Sequence, residues 1–195
     1  MQSLGTDLRS QLESTVEEAR EVAETGARAA LNQLGVGDRE KPGYLDGEQA
    51  ELRRRLRARG RQLGDKLKNS GEQETIRLAR EIAYEHWHRM LFARFLAESD
   101  LLVHPELDVA VTLEDCEALA DEEGAGDGFE LAAQFATGML PQIFREDDPV
   151  LDLDMAPEHR NKLKRMAEDL PEAVFEADDS LGWVYQFWQS KRKDE

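Results

Sequence analysis

The sequence predicts an all-α protein, an irregular multi-helix domain preceded by one or two extended amphipathic helices. Three observations predict it. Apolar residues recur at spacings of three and four over long stretches, the period at which side chains share a helix face. No convincing pair of alternating apolar and polar runs joined by a turn is present, as a strand pair requires. Several of the fourteen glycines and six prolines fall between the periodic segments, where they end one helix before the next begins.

The first helix is expected over Thr6 to Leu34, with Thr6 or Asp7 as cap. Leu8, Leu12, Val16, Ala19, Val22, Ala23, Ala30 and Leu31 form its stripe, and Gly35-Val-Gly37 ends it. The stripe is narrow and alanine-rich, and such a helix is marginal alone in water, so it needs a partner in this chain or in another. Asp38 to Gly47, with Pro42 and Gly43, reads as a linker. A second helix is expected from Glu48 to Lys68, with Leu52, Leu56, Leu63 and Leu67 on a sparse apolar side; Gly60 and Gly64 interrupt its pattern. After the turn at Asn69-Ser-Gly71, the stretch Gln73 to Ala97 is apolar nearly all round, which suits a central core helix. Pro105 breaks the chain. Thr112 then starts a short helix, with Asp115 completing an Asp variant of the capping box. Further helices are expected near Phe129 to Thr137 and from Pro157 to Asp169. Met139 to Phe144 is apolar around Pro141, Pro149 to Met155 reads as extended, and Val174-Phe175 reads as a short contact. A last helix, capped by Asp179 or Ser180, runs through Trp188 towards Lys191-Arg-Lys-Asp-Glu195. The expected segments are thus 1–37 (amphipathic helix), 38–70 (linker and basic helix) and 71–195 (globular helical domain).

Composition narrows the class. With 34% charged and 40% hydrophobic residues, the 195-residue chain is long enough for a core and has a well-charged surface. No apolar run approaches the roughly 18 residues that span a bilayer, and no basic start followed by an apolar run marks a secretory signal. A cytoplasmic protein without membrane contact is therefore expected. Cys116 stands alone, which excludes an intrachain disulfide and a multi-cysteine metal site. The net charge is −17, but it is unevenly spread. Residues 1–98 carry 17 basic and 17 acidic side chains, and residues 99–195 carry 8 and 25. Only the second half should repel phosphate.

Several motifs invite chemistry and read better as structure. Glu123-Gly-Ala-Gly-Asp-Gly128 contains a G-x-G-x-G pattern, but an acidic helix precedes it where a cofactor loop needs a buried strand. Glu85-His-Trp-His88 places its histidines two apart, whereas a helical metal pair wants three or four. Cys116 has no histidine near it in sequence and reads as a small buried residue. The paired acids Asp147-Asp148, Asp152/Asp154 and Asp178-Asp179 sit at prolines or helix starts, where Asp caps exposed amides.

Two segments point to binding. Arg53, Arg54, Arg55, Arg57, Arg59, Arg61, Lys66 and Lys68 give residues 51–68 a net +6 against Glu51 and Asp65. A basic helix of this kind fits duplex DNA through phosphate contacts and counterion release. It equally fits pairing with the acidic half of the same chain. No aromatic residue interleaves it, which argues against base stacking on single strands. At the other end Trp183, Tyr185, Phe187 and Trp188 crowd two faces of one helix. Either that helix crosses the core, or these four residues dock on something beyond residue 195.

Three blocks resemble the N-terminal helical region of the large restriction–modification type adenine-specific DNA methyltransferases related to phage-growth-limitation and BREX defence methylases. They are Ala83-Tyr-Glu-His-Trp-His-Arg-Met-Leu-Phe-Ala-Arg-Phe-Leu96, Met139-Leu-Pro-Gln-Ile-Phe144 and Asp179-Ser-Leu-Gly-Trp-Val-Tyr-Gln-Phe-Trp188. The last is the most specific, because in the family a Gly-Trp-x-Tyr-Gln-Phe stretch and a charged run lead into the methylase core. The resemblance covers about residues 72–195. It implies a parent protein that transfers a methyl group from S-adenosylmethionine to the exocyclic amine of adenine in DNA. The partners it implies are a catalytic methylase domain in cis and duplex DNA; the alanine-rich stripe of residues 6–34 adds other defence-system subunits or self-association as a further expectation. The family's Asn/Asp-Pro-Pro-Tyr/Phe motif, which would hydrogen-bond a flipped adenine, has no counterpart: Asp147-Asp-Pro-Val150 has one proline and no aromatic. No catalytic, cofactor or metal residue is therefore expected in this chain. The alternative expectation is a helical interaction or oligomerisation module without DNA contact.

Overall fold

The computed structural model describes residues 3–145 and 147–190 and is all-α. The charged run expected at Lys191 to Glu195 lies outside the described residues. In chain order the described helices are α1 (Thr6–Gln33), α2 (Gly47–Leu63), α3 (Ile76–Glu98), α4 (Leu113–Glu123), α5 (Gly128–Met139), α6 (Pro141–Phe144), α7 (Pro157–Glu168), α8 (Glu172–Phe175) and α9 (Ser180–Ser190). Among the described residues the only β pairing is two isolated bridges, Leu67 with Gln73 and Val103 with Ala110.

The chain divides into two compact units, each built from separated stretches of sequence. The first comprises Met1–Ala19, Trp87–Glu146 and Leu163–Glu195; the second comprises Arg20–His86 and Asp147–Lys162. The expected segments 1–37, 38–70 and 71–195 are contiguous in sequence, whereas these units interleave. By sequence the first unit holds 9 basic and 25 acidic residues, net −16, and the second 16 and 17, net −1.

In the second unit the buried cluster includes Ala27, Leu31, Leu56, Leu78, Ile82 and Val150. The α1 stripe is covered within the chain here, with Ala23, Ala27 and Leu31 fully buried. Asp46 caps α2: its side chain accepts the Gln49 amide, and the Gln49 side chain returns to the Asp46 amide. The sequence predicts α2 to Lys68, and the structure ends it five residues earlier. Gly64 takes a left-handed φ of 100°, which a residue without Cβ adopts at no steric cost, and its N–H closes on Arg61 and Gly60. Lys66 and Lys68 therefore lie beyond the helix, in the bridge-forming turn 66–74. The next residue, Asp65, is buried and accepts the Arg77 and Leu78 amides at 2.9 and 3.0 Å. It thus caps the start of α3 from outside that helix.

In the first unit α4 and α5 form an antiparallel-type hairpin of short helices around a second buried cluster that includes Leu102, Leu131 and Ala136. Thr112 and Asp115 make the expected capping box on α4, and Asp127 caps α5 through the Glu130 amide. Gly128 opens α5 where the helices touch. A Cβ there would lie 2.7 Å from the Glu117 amide nitrogen and 2.9 Å from its Cα. Those are backbone atoms and cannot swing aside, so Gly128→Ala is expected to part the hairpin and cost about 2 kcal/mol. A thermal melt followed by circular dichroism measures it, and a wild-type midpoint would remove this account of the glycine.

Candidate functional site

The basic helix α2 belongs to the second unit, and most of its guanidinium groups turn inward. Arg53, 9% exposed, donates through Nε to the Gly35 carbonyl at 2.9 Å. Its Nη2 donates to the Asp38 and Glu40 carbonyls at 2.7 and 3.1 Å. Arg57, one turn on, donates to the carbonyls of Val36, Asp38 and Gly71 at 2.6, 2.6 and 2.9 Å. Burial lowers its pKa, helped by the like charges of Arg53 and Arg61. Arg59 meets the carboxylates of Glu81 at 3.2 Å and Asp148 at 2.9 Å, and Arg55 meets Asp152 at 2.8 Å. Arg61 donates to the Gln73 side chain at 2.9 Å. A helix that reads as a phosphate-facing surface thus fastens the chain segments 35–40, 71–73 and 147–152 around itself.

The remaining cations face solvent. Arg54 has a side chain 76% exposed and pairs with Glu51, one turn back, which raises the pKa of the arginine and lowers that of the glutamate. Lys66 is exposed, and Lys68 lies 3.9 Å from Glu72, also at the surface. The structure therefore separates the eight basic candidates into an inward group (Arg53, Arg57, Arg59), Arg55 and Arg61, which bond within the chain from more exposed positions, and three outward charges.

The aromatic helix α9 belongs to the first unit. Phe187 and Trp188 are buried within the chain, Trp183 is half-buried, and Tyr185 is 55% exposed. Trp183 stacks on Phe187 with centroids 5.5 Å apart, and the Arg9 guanidinium lies 4.9 Å from the Trp183 centroid. The Asp179 carboxylate accepts the Leu4 amide and the Trp183 indole N–H, both at 2.9 Å. Those donors, the Leu4 amide first, hold it below the usual carboxylate range. Of the two alternatives for this helix, packing within the chain accounts for Phe187 and Trp188. Tyr185 is the member left facing solvent.

The other motifs fall into structural positions. Gly124 to Gly128 joins α4 to α5, and two of its amides already have anionic partners, Gly126 N–H meeting Glu130 and Gly128 N–H meeting Glu117, while those of Gly124 and Ala125 close on the Ala120 carbonyl. His86 lies 3.1 Å from the Val150 carbonyl, and His88 stacks on Phe92 with its pKa lowered by burial. Burial, with Asp115 beside it, pushes the Cys116 thiol up to about 11, so it holds its proton at neutral pH. Asp148 accepts the Val150 amide as a turn former besides pairing with Arg59. Among the described residues no group of three or more His, Cys, Asp or Glu side chains could hold a metal ion. No described helix is long and apolar enough to cross a membrane.

Two buried charged side chains that hold helix ends, Asp65 at the start of α3 and Arg94 at the end of α7, were not singled out by the sequence pattern. Asp65 counted only as an acid opposing the basic run, although a buried cap beside a glycine stop has a local signal. Arg94, inside an apolar helix, gave none. Comparison with protein-family models, with curated proteins and with solved structures finds no match to the chain.

Proposed function

We propose that the chain is a helical accessory region of an adenine-specific DNA methyltransferase of a restriction–modification or phage-defence system. It carries no catalytic residue, and it helps position the S-adenosylmethionine-dependent domain or the DNA. The observation that carries this reading is the block Asp179–Trp188. Its residues resemble the stretch that leads into a methylase core, and its helix turns Tyr185 outward while Phe187 and Trp188 anchor it. Charge supports the assignment of DNA to the near-neutral second unit, because the first unit, at net −16, repels phosphate. On and just after α2, Arg54, Lys66 and Lys68 are exposed, and the surface pairs of Arg54 with Glu51 and Lys68 with Glu72 can be exchanged for phosphate contacts.

Duplex binding measured by fluorescence anisotropy tests the DNA arm. With two or three phosphate contacts, log K is expected to fall with log salt at a slope of about −2 to −3. Combined Arg54→Ala, Lys66→Ala and Lys68→Ala should abolish most of that slope while the chain stays folded. Salt-insensitive binding, or binding untouched by the triple change, overturns the DNA role. Methyl transfer to DNA by the purified chain alone overturns the accessory reading as a whole. The second reading, an interaction module without DNA contact, is favoured by the bonding of Arg53, Arg55, Arg57 and Arg59 within the chain. It predicts no duplex binding even at low salt.

A further inference from the structure

We propose that a groove in the second unit docks an extended, cationic segment of a protein partner. The groove has a volume of about 500 Å³ and lies between the end of α1, the first turns of α2 and the segment 152–157. Its floor includes the buried side chains of Ala30, Leu34, Leu153 and Met155. Its rim carries Glu48, Asp152 and Asp154, and no lysine or arginine lines it.

Three features select the occupant. Asp152 already holds Arg55 at 2.8 Å, but Glu48 and Asp154 make no ion pair among the described residues. Two free carboxylates beside an apolar floor attract a lysine or arginine whose aliphatic stem also packs. They also repel phosphate, which sets this surface apart from the proposed DNA contacts. Second, the main-chain groups of Leu153, Asp154 and Met155 hydrogen-bond to no described residue. Leu153 and Met155 are themselves buried, so it is the exposed Asp154 whose main-chain groups an extended peptide reaches. Third, alternation suits the walls. In an extended segment successive side chains point to opposite sides, so apolar residues reach the floor while basic ones reach the rim.

A fluorescein-labelled Val-Lys-Val-Lys-Val peptide titrated into the full chain, with Val-Glu-Val-Glu-Val as counterpart, tests this. Saturable binding of the lysine peptide alone is expected. Glu48→Gln with Asp154→Asn should weaken it about tenfold. Glu114→Gln with Glu122→Gln removes the same charge from α4 and should change it less than twofold. Equal weakening by both pairs would reduce the binding to general attraction by an acidic protein and overturn the site. So would binding of the glutamate peptide or the absence of saturation. Amide hydrogen exchange gives a readout independent of charge. Slowed exchange at the Asp154 amide on peptide addition is expected, and peptide binding without it overturns the pairing.

Discussion

Arg53→Ala is expected to lower the stability of the chain by about 3 to 4 kcal/mol, a substantial fraction of the roughly 5 to 15 kcal/mol that a folded protein commonly has to spare. The reason lies in where the guanidinium points. It is buried, and its three hydrogen bonds go to the carbonyls of Gly35, Asp38 and Glu40, in the irregular segment between α1 and α2. Bonds from a charged donor contribute more than neutral ones, and three of them are lost here, although the Gly35 carbonyl keeps the Asp38 amide and the Asp38 carbonyl keeps Arg57. At roughly 2 to 4 °C per kcal/mol for a chain of this length, the melting midpoint should fall by about 10 °C. Arg53→Lys keeps the charge but not the planar fork, so it should recover only a minority of the loss. Arg54→Ala, one residue along and exposed, should leave the midpoint where it is. If Arg53→Ala and Arg54→Ala melted alike, the inward role of Arg53 would be wrong.

The second large effect is expected at Arg94, in the first unit. This arginine is 6% exposed and donates to the Ala167 carbonyl and, at 2.9 Å, to the Glu168 carbonyl at the end of α7. Its guanidinium also lies 4.5 Å from the Phe175 ring centroid and pairs with Glu98 at 3.1 Å. The last carbonyls of a helix have no partner inside it, and a cation there answers both their lone pairs and the helix dipole. Arg94→Ala removes these bonds together with the contact to the ring, at a cost of about 3 to 5 kcal/mol. Arg94→Met keeps the buried stem and isolates the polar part, and should still lose more than half of that. Urea denaturation followed by helical circular dichroism gives both numbers. An Arg94→Met chain within about 1 kcal/mol of wild type would show that packing, and not capping, is what Arg94 supplies.

How much of this was legible depended on the range of the interactions. The capping box of Thr112 and Asp115 spans three residues and was readable from them alone. So were the helical stretches now seen as α3, α5 and α7, whose ends fall within a few residues of those expected. Two glycines in α2 mark where local reading stopped. Gly60 and Gly64 carry the same signal, yet only Gly64 ends the helix. Gly60 stays helical with the Gln73 side chain lying where a Cβ would point, 2.9 Å away, and Asp65 close behind. Gly60 is thus enclosed by a residue thirteen positions later, which no local pattern announces. The aromatic block was readable as a helix, but not which of its rings the rest of the first unit would cover.

The sequence by itself determined the all-α class, the order of the longer helices and the Thr112–Asp115 cap, because these rest on contacts three or four residues apart; the caps at Asp46, Asp65 and Asp127 emerged only in the structure. The sequence also separated a neutral first half from an acidic second half. Only the tertiary structure decided what the arginines do. Arg53 and Arg54 are neighbours with one side-chain chemistry, and their fates diverge because one faces the Gly35–Glu40 segment and the other faces water. The pairing of Arg55 with Asp152 and of Arg59 with Asp148 joins residues about ninety positions apart. No local pattern encodes such a meeting. It follows from how the helices bury their apolar stripes, which brings the segment 147–162 into the same unit as residues 20–86.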